Sequence, residues 1–188
     1  FPLQPEHFVA AIDAATSGKV EEGNVGAGTG TVCFGYKGGI GTSSRKLPET
    51  LGGYTVGVLV QTNFGGNLTI DGEAIDEILE QYPYRMQILG SVDGSCMIVV
   101  ATDAPLDARN LERLAKRAIL GLGRTGGIAS NGSGDYVIAF STAESLRVPY
   151  DPPSPILQQN VLANDSMTPL FMAVIEATEE AIINSLWA

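Results

Sequence analysis

Three short stretches carry side chains of types and spacings that could do chemistry: Asp93-Gly94-Ser95, Thr62-Asn63, and Ser130-Asn131-Gly132-Ser133-Gly134-Asp135. The first sets an Asp-Gly turn dipeptide against a serine that opens the apolar run Cys96-Met97-Ile98-Val99-Val100-Ala101, the pattern of a buried strand. Ser95 is thereby expected at a sheet end. Scission of the bond before it would give Ser95 a free α-amine beside its own hydroxyl. Such an amine, with a reference pKa of about 7.7–8.0, is partly unprotonated near neutral pH and can serve as a base for that hydroxyl. Before scission the hydroxyl can attack the Gly94 carbonyl, move the acyl group from nitrogen to oxygen and leave an ester for water to open. Glycine at the scissile position admits backbone shapes that a side chain forbids. The expectation is that the bond Gly94-Ser95 breaks itself and that Ser95 then does the catalysis.

The elements that must position these groups can be read from periodicity and punctuation. A first helix is expected over residues 5–15, with Phe8, Ala11, Ile12 and Ala15 on one face and Gly18 available to end it. After a glycine-dense loop from Gly23, residues 31–36 read as a short strand, and residues 37–41 as a turn-rich connection. Residues 54–61 are β-branched and apolar and read as a strand ending at Thr62-Asn63. Residues 65–90 are ambiguous: residues 74–80 suit a short helix limited by Pro83, and the region serves as a surface linker to Gly94. The strand from Ser95 ends near Asp103. Asp107 then caps a helix carrying Leu111, Leu114, Ala115, Ala118 and Leu122 at helical spacing, with stop signals at Gly121 and Gly123. Residues 135–142 form another strand. Thr168 and Pro169 read as cap and first position of a last helix, with Phe171, Val174, Ile175 and Ile182 toward the core. Helices at both ends and strands between them predict one layered α/β domain over residues 1–188.

Composition excludes several function classes. With 44% hydrophobic and 17% charged residues in 188, the chain can bury a core and is not disordered. No apolar run approaches the ~18 residues of a membrane span. No charged leader precedes an apolar segment, but a sequence starting at Phe1 has lost at least its initiator, so this says little about compartment. A cytoplasmic location is expected over a periplasmic one. The net charge of −10, with the acids scattered, disfavours nucleic acid or an anionic membrane as partner. A small neutral or cationic substrate is easier to accommodate. Two cysteines, Cys33 and Cys96, and one histidine, His7, do not make an ordinary zinc site or a disulfide framework. No metal or organic cofactor is expected.

Some motifs match only in spelling. Gly121-Leu122-Gly123-Arg124-Thr125-Gly126 fits G-x-G-x-x-G, but it follows a helix and precedes a strand, the reverse of what a pyrophosphate site needs. Ser43 and Lys46 fit S-x-x-K without the companion motifs of that enzyme class. Because His7 precedes every candidate serine on a helix and no G-x-S-x-G elbow occurs, a Ser-His-Asp triad is disfavoured. A serine nucleophile here needs another base.

Five blocks in one order resemble the L-aminopeptidase/D-esterase family that includes the β-peptidyl aminopeptidases: residues 23–30 (Gly-Asn-Val-Gly-Ala-Gly-Thr-Gly), residues 37–45 (Lys-Gly-Gly-Ile-Gly-Thr-Ser-Ser-Arg), Asp93-Gly94-Ser95, residues 101–106 (Ala-Thr-Asp-Ala-Pro-Leu) and residues 130–135. The resemblance spans residues 5–142 and continues more weakly to the end. It implies a four-layer α/β/β/α sandwich of the N-terminal-nucleophile type and a precursor that cleaves itself before a serine. It also implies amide or ester hydrolysis at the amino end of short peptides. On that resemblance Ser95 is the nucleophile, Gly94 the new C-terminus, and Asn63 the oxyanion-stabilising asparagine. Ser133 and Asp135 are the serine and acid that assist. Residues 1–94 would then end an α subunit and residues 95–188 form a β subunit.

A tyrosine that the family uses upstream of the first helix is not in this sequence, so the resemblance implies a preceding segment or a partner chain that supplies it. Oligomers of processed heterodimers are implied as well. Ser133 and Asp135, two residues apart at a strand entrance, can share one face. The carboxylate there could orient a serine hydroxyl or steady an ammonium, and the base could be the α-amine or a Ser133–Asp135 relay. Competing readings are an acyltransferase of related fold and an inactive or unprocessed binding and assembly subunit.

Overall fold

Alternation along two strands decides the architecture. Val56, Val58 and Val60 on one strand and Cys96, Ile98 and Val100 on the next are all buried, so a single face of the sheet carries the core. The computed structural model describes residues 3–79 and 94–188. Within them the chain runs α1 (Pro5–Asp13), β1 (Val32–Cys33), β2 (Tyr36–Lys37), β3 (Gly39–Lys46), β4 (Thr55–Asn63), β5 (Thr69–Ile70), β6 (Glu73–Ala74), α2 (Ile75–Ile78), β7 (Ser95–Thr102), α3 (Ala108–Arg124), β8 (Tyr136–Ser141) and α4 (Thr168–Trp187).

The main sheet has the order β3-β4-β7-β8. β3 and β7 each lie antiparallel to β4, and β8 is parallel to β7. A parallel neighbour requires a crossover, and α3 supplies it. Asp107 starts this helix by accepting the Asn110 N–H at 2.8 Å. Leu114, Ala118 and Leu122 of α3 and Leu170, Val174, Ala181 and Ile182 of α4 are buried, and the two helices cover the face carrying the valines. The opposite face is covered only in part among the described residues, where Glu22 accepts from Thr42 and the Ala27 carbonyl accepts from Gln61. Met97 is 40% exposed there, Ile138 59% and Phe140 44%. The described residues therefore build one main sheet and one helical layer, with two small two-stranded ribbons beside them, and a four-layer sandwich requires a second large sheet against that opposite face. No helix of the described residues is long and apolar enough to cross a membrane.

Several expectations are corrected. Residues 31–36 are not one strand but the start of a hairpin, because Phe34 and Gly35 both take positive φ (53° and 81°), the twist of a tight hairpin turn. Residues 39–46 are a full strand, not a connection: all eight pair with β4, from Gly39↔Thr62 to Lys46↔Thr55. Their low apolar content has a packing cause, since a Cβ on Gly41 would overlap the Ala181 carbonyl oxygen of α4. Gly121 does not stop α3, which runs to Arg124. A Cβ at Gly121 would lie 2.7 Å from Thr178 Cβ, so this glycine permits close approach of the two helices. Met167, not Thr168, is the residue preceding α4, and it makes no side-chain cap. Helix α1 ends at Asp13 and buries none of its residues; Phe8 and Ile12 are exposed. The short helix expected over 74–80 is reduced to Ile75–Ile78. Glu80, Pro83 and Asp93, with the rest of residues 80–93, lie outside the described residues.

Candidate active site

Ser95 is the first residue of an interior strand, so register fixes its neighbours on both sides. On the antiparallel side Asn63 is directly opposite Ser95. On the parallel side Met97 pairs with Tyr136, which sets the segment ending at Asp135 beside Ser95 and Cys96. Alternation turns Cys96 into the core and Ser95 to the opposite face. Three segments far apart in sequence thus meet at one end of the sheet: Thr62-Asn63, Gly94-Ser95 and Ser133-Gly134-Asp135.

The hydrogen bonds are directional. Ser95 Oγ donates to the Gly94 carbonyl oxygen at 2.6 Å. The Gly134 main-chain N–H donates to Ser95 Oγ at 3.1 Å and lies 3.3 Å from the Gly94 oxygen, donating to both. Ser133 Oγ donates to Asp135 Oδ2 at 2.9 Å, while Asp135 Oδ1 accepts the Cys96 N–H at 3.0 Å. One carboxylate therefore ties the β8 entrance to the start of β7 and holds a serine hydroxyl beside it. The Asn63 Oδ1 accepts the Val32 N–H at 3.0 Å. Gly94 is sterically confined: a Cβ there would overlap the Asn63 carbonyl oxygen and sit 2.7 Å from Phe64 Cα.

The structure thus brings together Ser95, Gly94, Asn63, Ser133 and Asp135. Sequence reasoning missed Gly134 and Val32. Both contribute main-chain N–H groups, and no side-chain pattern announces such a donor; for Gly134 the only signal is its place between Ser133 and Asp135.

Other reactive types are occupied elsewhere. His7 Nδ1 accepts the Gln4 N–H at 2.9 Å and caps α1. Both cysteines are buried and free. Burial pushes the Cys33 thiol up to about 12 and the Cys96 thiol higher still, so neither is a thiolate at neutral pH. Ser43 of the S-x-x-K spelling donates to Glu180 Oε2 at 2.6 Å, joining β3 to α4. Among the described residues no group of three or more His, Cys, Asp or Glu is placed to hold a metal ion.

Over all its length the chain is 44% identical to the β-peptidyl aminopeptidase BapA of Sphingosinicella microcystinivorans, covering 50% of that protein. A solved Burkholderia sp. β-aminopeptidase superposes with a TM-score of 0.84 at 40% identity, over 98% of this chain and 51% of that one. The L-aminopeptidase D-Ala-esterase/amidase of Ochrobactrum anthropi, described as a variant of the Ntn hydrolase fold, gives a TM-score of 0.84 at 38% identity, over 98% of this chain and 50% of that one. The chain spans about half the length of these relatives. Its fold is of the same α/β N-terminal-nucleophile type. The profile of peptidase family S58 matches residues 1–188 from end to end, and with the same fold and identities of this size the chain belongs to that family.

Proposed function

We propose that this chain is the nucleophile-bearing part of a self-processing serine aminopeptidase that removes N-terminal residues from short peptides, amino-acid amides or esters. The observation that carries the reading is the convergence on the Gly94-Ser95 bond. The hydroxyl of Ser95 is hydrogen-bonded to the carbonyl before it, and the Gly134 N–H donates to both oxygens.

In the self-cleavage step the Ser95 Oγ–C bond forms as the Gly94 C–N bond breaks, and the hydroxyl proton ends on the Ser95 nitrogen. Water then opens the ester and leaves the Gly94 carboxylate and the free Ser95 hydroxyl. Before cleavage the Ser95 nitrogen is an amide and cannot act as a base. The Ser133–Asp135 pair, joined at 2.9 Å and flanking the Gly134 N–H that meets Ser95 Oγ, then serves as the relay that takes the Ser95 proton. After cleavage the α-amine is available as well. Asn63, opposite Ser95, offers amide hydrogens to the tetrahedral oxyanion of the substrate. Acylation of Ser95 expels the amine of the substrate's remainder, and water releases the N-terminal residue.

The upstream tyrosine implied by the family resemblance would come from a preceding segment or a partner chain. Processed heterodimers would then assemble into larger oligomers.

The test is a chromogenic amino-acid amide given to the complete protein with and without an added acceptor amine. Free amino acid as the main product in both cases supports the aminopeptidase. Quantitative transfer to the amine would replace it by an acyltransferase, and no turnover by processed protein would contradict both.

A further inference from the structure

A carboxamide has one accepting and one donating end, and a half-turn of the side chain exchanges them. An asparagine used as an oxyanion donor therefore needs a partner that fixes which end faces the reacting carbonyl. We propose that the main-chain N–H of Val32 is that positioning group, and that the β1–β2 hairpin serves the active site by holding Asn63 in its donating orientation. This rests on the reading of Asn63 as the oxyanion donor.

A main-chain N–H can only donate. With Val32 N 3.0 Å from Asn63 Oδ1, the oxygen must face β1 and both Nδ2 hydrogens are turned away from it. The flipped amide would set two donors against each other and leave both unpaired. The N–H groups of residues 32 and 34 point the same way along an extended segment, here toward the end of β4. The Phe34 N–H meets a main-chain carbonyl, that of Phe64, at 2.8 Å. The Val32 N–H instead meets the Asn63 side chain, one residue earlier.

The hairpin is held firmly enough to act as a stop. Cys33 is fully buried, Phe34 is buried edge-on against Phe64 with ring centroids 5.0 Å apart, and the Gly38 N–H donates to the Thr31 carbonyl at 2.9 Å. The Val32 side chain is itself 52% exposed, so what this residue brings to the site is its N–H.

The test uses the complete protein and reads kcat and KM on a chromogenic amide after mass spectrometry has confirmed processing. Val32→Pro deletes the N–H, whereas Val32→Ala shortens the side chain and keeps it. The kcat of Val32→Pro should fall roughly tenfold or more below that of Val32→Ala, with KM changed by less than about threefold. In an Asn63→Ala background, exchanging Val32→Ala for Val32→Pro should change kcat by less than about twofold, because the N–H acts only through Asn63. Equal kcat for the two Val32 variants, or the same loss in both backgrounds, overturns the proposal. If Val32→Pro does not fold, a backbone ester at residue 32 deletes the N–H without a ring, and the same outcomes decide. An Asn63→Ala single variant with undiminished kcat would overturn the oxyanion reading itself. A large loss in that variant with equal kcat for the Val32 pair would overturn only the role of Val32.

Discussion

Replacing Asp135 by asparagine separates the two bases that can serve Ser95. The carboxylate accepts two hydrogen bonds, from Ser133 Oγ at 2.9 Å and Cys96 N at 3.0 Å. An asparagine keeps one accepting oxygen. If it stays on the Cys96 N–H, Nδ2 faces Ser133 and donates to it. Ser133 then accepts from residue 135, its own hydroxyl hydrogen turns elsewhere, and it can no longer pass a proton to this side chain. One hydrogen bond to a charged group is worth about 1.5–3 kcal/mol, and partial exposure of Asp135 lowers this toward roughly 1–2 kcal/mol. For a chain of this size that is a fall in Tm of only a few degrees, about 2–4 °C per kcal/mol. The kinetic effect should be much larger. Loss of a positioned base costs roughly 10²–10⁴-fold, and before cleavage no α-amine is present to replace it. Asp135→Asn should therefore accumulate uncut precursor, while the fraction that does cleave loses less in turnover because the new α-amine can act. The assay is a time course of intact mass, with kcat measured on purified processed protein and Tm by circular dichroism. Self-cleavage within about threefold of wild type would refute the relay as the precursor's base.

Asn63→Ala should lower kcat roughly 10²–10³-fold with little change in KM and in Tm, read on a chromogenic amide. Gly94→Ala places a methyl on the Asn63 carbonyl and the Phe64 backbone. Overpacking of roughly 1–3 kcal/mol that displaces the scissile peptide should slow self-cleavage about tenfold or more, read by the same mass time course. A further prediction concerns pH. The Ser43 hydroxyl and the Arg45 guanidinium hold the Glu180 carboxyl below its ordinary value of 4.5. Stability from this contact between β3 and α4 is thus present above that value and lost as pH falls through the lower folded value. Glu180→Gln should remove that part of the acid dependence in melts below about pH 4.5, by a small amount because the pair is partly exposed.

Much of the site was legible because it depends on side-chain types at strand ends. Ser95 facing away from the core, Cys96 facing into it and Asp107 capping α3 follow from alternation and capping rules alone. Asn63 was legible as a strand end, but its position opposite Ser95 depends on register between strands separated by residues 64–94, which no local pattern encodes. The fold was less legible wherever tertiary packing overrides composition. Strand β3 reads as a turn because its Gly41 yields space to the backbone of α4. The hairpin at Phe34 depends on a left-handed phenylalanine that burial against Phe64 sustains. Gly121 resembles a helix stop, yet it is the contact that lets α3 approach α4. Gly134 and Val32 act through main-chain N–H groups, so their side chains gave no indication.

Self-scission of the bond between Gly94 and Ser95, with Ser95 as the resulting catalytic N-terminus, underlies every step proposed above. Denaturing mass spectrometry with N-terminal sequencing of the complete protein, beside its Ser95→Ala variant, tests this most directly. The wild type should give two pieces, one beginning Ser-Cys-Met-Ile, and the variant a single uncut chain. A wild-type chain that stays whole yet turns over substrate, or a Ser95→Ala variant cut at the same bond, would contradict it.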